Sequence, residues 1–194
     1  MCKMSTSFFM ETIIQVAYEW ALKEIDAFGV PPKRILDIAI ENGQRIAHEL
    51  KADPWIVHIG TILMDIKLGE AKSHNKPQEH VRMSEEASRA FLKEHNISEG
   101  TTNTILSCIR EHHNEWGNFS CIESEAVANA DCYRFASVQG NFYFVSWLIS
   151  EGMSLEDAVA FGKSKFEEKM RILSLAWCKQ DLEDDIEVLT KLYS

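Results

Sequence analysis

The chain has 194 residues, of which 45% are hydrophobic and 26% charged, a balance typical of a soluble globular domain and unlike that of disordered or fibrous proteins. Its formal net charge is −10, from 20 Lys and Arg against 30 Asp and Glu, so binding to a nucleic-acid polymer or an anionic membrane surface is disfavoured. With 9 Gly and 4 Pro the chain has few turn-forming residues, which disfavours all-β architectures and favours long helices.

The cysteine content and the lengths of the apolar segments indicate in which cellular compartment the protein resides. The five cysteines are odd in number and contain no CxxC pair, which favours free thiols in a reducing environment. The first ten residues lack the apolar core of a secretory signal, and no run of about 18 apolar residues occurs that could span a membrane. These patterns predict a cytoplasmic protein. The cysteines are Cys2, Cys108, Cys121, Cys132 and Cys178.

Three helices are predicted in the first third of the chain. Apolar residues recur at helical spacing over about residues 8–28, and a second helix opens at Pro31-Pro32, where early prolines are tolerated. Asp53 and Pro54 cap and open a third helix that continues to about Leu68. This third helix is apolar on most sides, so we expect it to lie at the centre of the fold.

The remaining pattern is also helical. A polar loop is expected over residues 69–76, followed by a fourth helix capped by Asn75 and a fifth that begins at about Ser98. An Ala-rich sixth helix covers about residues 123–135, and two or three more follow, one of them capped by Ser154. Because no segment alternates with period two, the sequence predicts a single all-α domain spanning residues 1–194.

Two carboxylates lie on helix faces that should pack inward. Asp65 is surrounded by apolar residues on the most apolar helix, and Asp131 lies one turn after Val127 and one turn before Phe135. An unpaired ionised carboxylate in such a place costs several kcal/mol or is neutralised. Two inward carboxylates on separate helices repel each other unless a cation lies between them.

Three histidines could share the same site. His113 continues the apolar stripe through Ile109, His112 adjoins it, and His80 falls in the first turn of the fourth helix. Aspartate and imidazole together suit Zn, Fe, Mn, Co or Ni rather than calcium. Two simpler interpretations remain open, because a lone inward Asp is often a cap or a salt-bridge partner and an adjacent His pair often has one core and one solvated ring.

The order of these residues resembles that of the HD-domain superfamily of metal-dependent phosphohydrolases. The similarity spans about residues 34–136, the predicted HD-like core. It implies an HD-type helical bundle with extra N- and C-terminal helices. The matching segments are Asp53-Pro54, Ile62 to Lys67, His80, Ile109 to His113 and Val127 to Asp131.

The chain departs from the family pattern at two places. Met64 stands at the His position of the His-Asp pair, and methionine is a poor ligand for a hard or borderline divalent ion. The family's first histidine belongs in the second helix, but residues 30–40 contain none, and Asp37 is the only oxygen ligand available there. Lys67 stands near the family's basic residue, directly after Ile66, and no phosphate-binding role is assigned to it.

Transferred residue by residue, the resemblance leaves one metal position largely intact and depletes the other. The first position keeps only Asp65 and Asp131. The second keeps Asp65, His80 and one or both of His112 and His113.

The resemblance implies a hydrolase that acts on a small phosphorylated molecule or a nucleotide. It would use one divalent transition metal ion, with Asp65 orienting the metal and water and Asp131 acting as a ligand or base. Two alternatives remain open. One is a catalytically inactive HD-fold protein that binds a nucleotide or a partner, which Met64 favours. The other, weaker alternative is a diiron oxygenase similar to the inositol oxygenases, although the full histidine set for two irons is absent.

Overall fold

A computed structural model describes residues 6–194 of the chain, so Cys2 lies outside the described residues. Within this range the chain forms eleven α-helices, one 3₁₀ turn and no β-strand, which confirms the predicted all-α class. The helices are α1 (Thr6–Phe28), α2 (Lys33–Leu50), α3 (Pro54–Leu63), α4 (Leu68–Ser73), α5 (His80–Glu94), α6 (Glu99–Glu111), α7 (Ile122–Ala136), α8 (Val138–Ser150), α9 (Leu155–Ile172), α10 (Ala176–Asp181) and α11 (Glu183–Tyr193), and the 3₁₀ turn is Pro77–Glu79.

Helix α3 lies at the centre of the bundle and packs against α1, α2, α6 and α7. Its apolar residues divide between two core clusters, with Ile59 and Ile62 in one and Val57 in the other. The close approach to α6 depends on Gly60, because a Cβ atom there would lie 2.9 Å from Cβ of Cys108. Because α3 is apolar on most of its sides, as the sequence predicted, it packs against neighbouring helices in several directions.

The chain bends directly after α3, where the sequence predicted a continuous helix to Leu68. That prediction was wrong, because the amides of Ile66 and Leu68 bond to carbonyls three residues back. The Lys67 amide instead donates to Ser84 Oγ at 3.1 Å. The predicted loop over residues 69–76 was also wrong, because α4 occupies most of it. The bend carries Asp65.

Side-chain caps explain where several helices begin. Asp53 accepts hydrogen bonds from the amides of Trp55 and Ile56 at the start of α3, and Ser98 and Ser154 cap α6 and α9 in the same way. Asn75 does not cap a helix. It adopts φ 57° in the turn that follows α4, and the 3₁₀ turn separates it from α5.

The C-terminal part holds four helices, α8–α11, rather than the two or three expected. Helix α9 packs against both α7 and α8 and so lies beside the Ala-rich helix that carries Asp131. Cys108, Cys132 and Cys178 are buried free thiols, and Cys121 is a half-buried one. No helix among the described residues combines the length and apolar character needed to cross a membrane.

Candidate metal centre

Asp65, His80, His112 and His113 converge where three elements meet. Asp65 lies in the bend after α3, His80 begins α5, and the two adjacent histidines follow α6. One ligand atom from each residue lies within 4.8 Å of the corresponding atoms of the others. Asp65 and His112 are buried, and the other two rings are partly buried.

Three atoms at this point face one another without a hydrogen bond. Oδ1 of Asp65 lies 3.3 Å from Nε2 of His80 and 3.6 Å from Nε2 of His112. All three atoms are buried and have no hydrogen-bond partner among the described residues. Because buried polar atoms are nearly always paired, three such atoms in one place need an explanation. One carboxylate and two imidazole nitrogens are a donor set that fits a divalent transition ion.

Backbone carbonyls orient two of the rings. Nδ1 of His80 donates to the carbonyl of Pro77 at 2.7 Å, and Nδ1 of His112 donates to the carbonyl of Ile109 at 2.7 Å. With Nδ1–H used in this way, the lone pair of each ring is on Nε2, the atom that faces Asp65. Metal-binding histidines are commonly held by such a bond.

His113 is held from the side of α9. Its Nδ1 lies 3.1 Å from Oε1 of Glu168 and 3.2 Å from Nζ of Lys169, which leaves Nε2 as the nitrogen without those contacts. Burial and the neighbouring His112 lower the pKa of His113 to about 4. The ring is therefore neutral near pH 7, the form that can bind a metal ion.

The pKa of His80 is raised, whereas the pKa of His113 is lowered, and the cause is the Asp65 carboxylate beside His80. Burial by itself lowers the pKa of His80, but the adjacent negative charge of Asp65 outweighs it, so the pKa is raised. A metal ion that binds at Nε2 of His80 therefore competes with a proton.

Asp131 stands apart from these four residues, and its neighbours are cations. Nη1 of Arg134 lies 2.6 Å from Oδ2 of Asp65 and 2.8 Å from Oδ1 of Asp131. Nζ of Lys169 lies 2.7 Å from Oδ2 of Asp131. The two inward carboxylates thus share a cation, and that cation is a guanidinium of the same chain.

These contacts keep both carboxylates ionised. Burial alone would raise the pKa of Asp65, but the charge of Arg134 outweighs burial and holds the pKa well below its usual range. Burial likewise opposes ionisation of Asp131, and the charges of Lys169 and Arg134 lower the pKa of that carboxyl. The two carboxylates and the two cations, Arg134 and Lys169, are almost completely buried, and Asp131 and Lys169 are each 1% exposed.

Other residues singled out in the sequence lie elsewhere. Met64 is buried in the apolar core beside α2. Asp37 accepts a hydrogen bond from the hydroxyl of Tyr18 at 2.7 Å, and Lys67 forms an ion pair with Glu24 at 2.7 Å. None of Met64, Asp37 and Lys67 lines the cavity at the metal centre.

A cavity of about 520 Å³ opens at the centre. Four cationic side chains line it, from Lys72, Arg134, Lys165 and Lys169. Three carboxylates and two histidines also line it, and a wall of apolar residues forms the remainder. A cavity of this size suits a small organic ligand.

Comparison with known proteins identifies the fold. No model of a protein family matches the sequence, and no curated protein is similar enough to count as a relative. Three solved structures do match, among them a predicted HD superfamily hydrolase from an uncultured Thermotogales bacterium, with a TM-score of 0.66 and 13% identity over 92% of this chain and 87% of the other. The chain has an all-α fold of the HD type.

Two further solved structures align with nearly the whole chain. Bacillus subtilis YpgQ aligns with a TM-score of 0.68 and 15% identity over 95% of this chain and 93% of that one. A Lactobacillus plantarum protein aligns with a TM-score of 0.70 and 15% identity over 94% of both chains. The resemblance to the HD superfamily inferred from sequence is confirmed for the fold, including the extra N- and C-terminal helices.

The sequence reasoning missed Arg134 and Lys169. A signal for Arg134 was present, because it lies three residues after Asp131 on a helix whose other residues are mostly Ala and apolar. Lys169 had no comparable signal. It stands in a charged stretch of α9 that looks like an ordinary solvated helix face, yet it is buried against Asp131.

Proposed function

We propose that the protein is a phosphohydrolase that uses one divalent transition metal ion, Mn, Fe, Ni, Co or Zn, and acts on a small phosphorylated molecule. Asp65, His80, His112 and His113 would hold the ion. The observation that carries the proposal is the set of three buried, unpartnered atoms, Oδ1 of Asp65 and Nε2 of His80 and His112.

The reaction is hydrolysis of a phosphate ester or anhydride. The oxygen of water forms a new P–O bond, the P–O bond to the organic group breaks, and a proton from water goes to the leaving oxygen. When bound, a divalent ion polarises a phosphoryl oxygen and lowers the pKa of the attacking water.

The residues of the chain itself orient the metal-binding side chains. The carbonyl-bound rings of His80 and His112 keep their lone pairs aimed at Asp65. Asp65 has two separate duties, because Oδ1 faces the histidines while Oδ2 accepts from Arg134. Holding ligands in place before substrate binds reduces the cost of reaching the transition state.

For Asp131, the contacts favour a positioning role over the predicted ligand or base roles. Both of its oxygens lie within 2.8 Å of a cationic nitrogen, on Arg134 and Lys169. These cations lower its pKa, and a carboxylate with a lowered pKa is a weak base. We assign Asp131 the task of fixing these two cations at the cavity wall.

The cationic wall would bind the phosphoryl group. Lys72 has no ion-pair partner among the described residues, and Lys165 pairs only with Glu168 at 2.7 Å. Four lysine and arginine side chains line a cavity in a protein of net charge −10, so the positive potential is local. Such a local site favours a small phosphate over a polymer.

Arg134 also supports a single ion rather than two. In a two-ion site the second cation would lie between Asp65 and Asp131, and there the guanidinium already contacts both carboxylates. With Met64 in place of a histidine, no further nitrogen ligand adjoins Asp65 in the sequence. The same two features favour the alternative, an HD-fold protein that binds a phosphorylated ligand without turnover.

Metal content and turnover of matched variants test the proposal. We expect purified protein loaded with Mn²⁺, Co²⁺, Ni²⁺, Fe²⁺ or Zn²⁺ to hold one ion per chain, measured by elemental analysis, and to hydrolyse p-nitrophenyl phosphate or another member of a phosphate panel. Asp65→Asn should lose both ion and turnover. Asp37→Asn is the control, because that carboxylate bonds to Tyr18 away from the cavity. One bound ion without turnover of any panel member favours the binding protein, and retention of the ion in Asp65→Asn contradicts the site.

A further inference from the structure

The lining of the cavity at the metal centre consists of two chemically different groups of residues, which we call its two ends. At one end lie the ionisable groups of the centre and its cations. At the other lies an apolar wall that includes four aromatic rings and the Pro31-Pro32 pair. The rings are Phe135, Phe144, Trp147 and Phe161.

The four rings form one connected cluster on α7, α8 and α9. Phe144 is its centre, with ring centroids 4.9 Å from Phe135, 6.1 Å from Trp147 and 5.6 Å from Phe161. Phe144 is 7% exposed and Phe135 is 6% exposed, so their mutual packing fixes the wall. Fixed aromatic faces offer a large apolar contact area to a ligand.

Phe135 marks the boundary between the two ends. The guanidinium carbon of Arg134 lies 5.3 Å from its ring centroid, and Nζ of Lys169 lies 5.8 Å from it. A ligand with its phosphoryl group at these cations would therefore lie next to the ring of Phe135, which packs against Phe144 at the centre of the aromatic cluster.

The polar groups of the lining are all of one kind. Every polar side chain is ionisable, and no hydroxyl or side-chain amide of the described residues lines the cavity. Among the described residues of the apolar wall, Trp147 is the one whose side chain carries a polar atom, the indole nitrogen. A sugar or a nucleobase would leave its own hydroxyl and amide groups without side-chain partners there, and unpaired buried polar groups weaken binding.

We infer that the preferred substrate is an organic phosphate with an apolar, hydroxyl-poor body, an aryl or alkyl phosphate, rather than a nucleotide or a sugar phosphate. This inference rests on the proposed function, because it takes the metal and cationic end as the phosphoryl site. Hydrolysis then adds water across the P–O bond and releases the alcohol or phenol with inorganic phosphate.

Binding of stable phosphonates separates the two ends of the cavity. We would measure the dissociation constants of benzylphosphonate, methylphosphonate and adenosine 5′-monophosphate by calorimetry with Mn²⁺ present. Benzylphosphonate should bind about 10- to 100-fold tighter than methylphosphonate, the range for apolar groups in a fitted pocket. It should also bind more tightly than adenosine 5′-monophosphate.

A matched pair of aromatic variants provides the second arm. Phe161→Ser should remove most of the preference for the benzyl group while leaving methylphosphonate affinity unchanged. Phe91→Ser is the control, because Phe91 is also partly buried but packs against Trp20 and His95 outside the cavity. Circular dichroism would establish that both variants are folded.

The outcomes distinguish the two proposals. If methylphosphonate binds but the benzyl group adds no affinity, or if adenosine 5′-monophosphate binds most tightly, this inference is overturned and the proposed function stands. If no phosphonate binds and no phosphate ester is hydrolysed, the proposed function fails and the inference falls with it.

Discussion

Nη1 of Arg134 lies 2.6 Å from Oδ2 of Asp65, although 69 residues separate the two in sequence. Both residues are buried, at 3% and 8% exposure. Breaking a buried ion pair by removing one partner is costly, because the other charge is left uncompensated in a medium that solvates it poorly. The stability of the bundle and the charge state of the candidate metal centre therefore depend on the same contact.

Arg134→Gln should destabilise the protein strongly in the absence of metal. Loss of the guanidinium leaves Asp65 and Asp131 facing each other, and we expect a loss of about 3–5 kcal/mol. This corresponds to a melting temperature lower by about 6–20 °C for a domain of this size. Added Mn²⁺ should raise the melting temperature of the variant by more than it raises that of the wild type, because a divalent ion can compensate the same carboxylates.

Arg45→Gln serves as the comparison for this experiment. Arg45 pairs with Asp181 at 2.9 Å, but its side chain is half-exposed. Its loss should cost less than about 1 kcal/mol. Equal melting temperatures for the two Arg variants would show that the buried position of Arg134 has no special importance.

Asp131 and Lys169 should behave as a coupled pair in a double-mutant cycle. Nζ of Lys169 lies 2.7 Å from Oδ2 of Asp131, and each residue is 1% exposed. Either single change, Asp131→Asn or Lys169→Met, removes one of the two charged partners of the remaining buried charge, because Asp131 also contacts Arg134 and Lys169 also contacts Glu168. The double variant should be more stable than the sum of the single effects predicts, by about 0.5–3 kcal/mol in urea unfolding. Strict additivity would contradict a direct interaction.

Met64→His should not by itself create a second metal position. Met64 is 1% exposed within the apolar core, so an imidazole there is short of hydrogen-bond partners, and Arg134 still contacts Asp65 and Asp131. We expect one ion per chain and a stability loss of about 1–3 kcal/mol. Isothermal calorimetry with Mn²⁺ gives the stoichiometry, and two ions per chain in Met64→His would refute the role given to Arg134.

Cys121 should react with iodoacetamide at an unusually low pH. A hydrogen bond with Cys108 and bonds from Ser124 outweigh burial and lower the pKa of Cys121 to about 6. Its alkylation rate should therefore rise through about pH 6 instead of through the usual value of about 8.5.

Cys178 is the internal control for the labelling experiment. Burial raises its pKa to about 12, so it should remain unmodified at neutral pH while the protein is folded. Peptide mapping after short labelling at several pH values separates the two thiols. Equal labelling of Cys121 and Cys178 near pH 7 would contradict the contacts of Cys121.

Sequence periodicity predicted the helical class and the inward faces of Asp65 and Asp131, because burial on a helix follows its neighbours one turn away. It could not predict the bend after α3. There the apolar pattern continues without interruption, and the structure adds a hydrogen bond from the Lys67 amide in the bend to Ser84 on α5, a contact between segments distant in sequence. The local sequence pattern likewise cannot predict that a residue on a helix face pairs with a charge distant in sequence, as Lys169 does with Asp131.

One of the simpler interpretations of the inward aspartates, a salt bridge, is confirmed for Asp131. An inward Asp is often a salt-bridge partner, and Asp131 has two such partners. Asp65 combines that role with a free oxygen directed at His80 and His112. Only the three-dimensional arrangement separates the two aspartates, since both lie on equally apolar stretches of sequence.

The position of α9 has a consequence for how the protein could be divided. Lys169 and Phe161 both come from this helix, beyond the predicted HD-like core of residues 34–136. A fragment that ended with α7 would lose one of the two cations beside Asp131 and one side of the aromatic wall. A fragment limited to residues 34–136 would therefore keep the four clustered residues Asp65, His80, His112 and His113 but lose part of the cavity wall beside them.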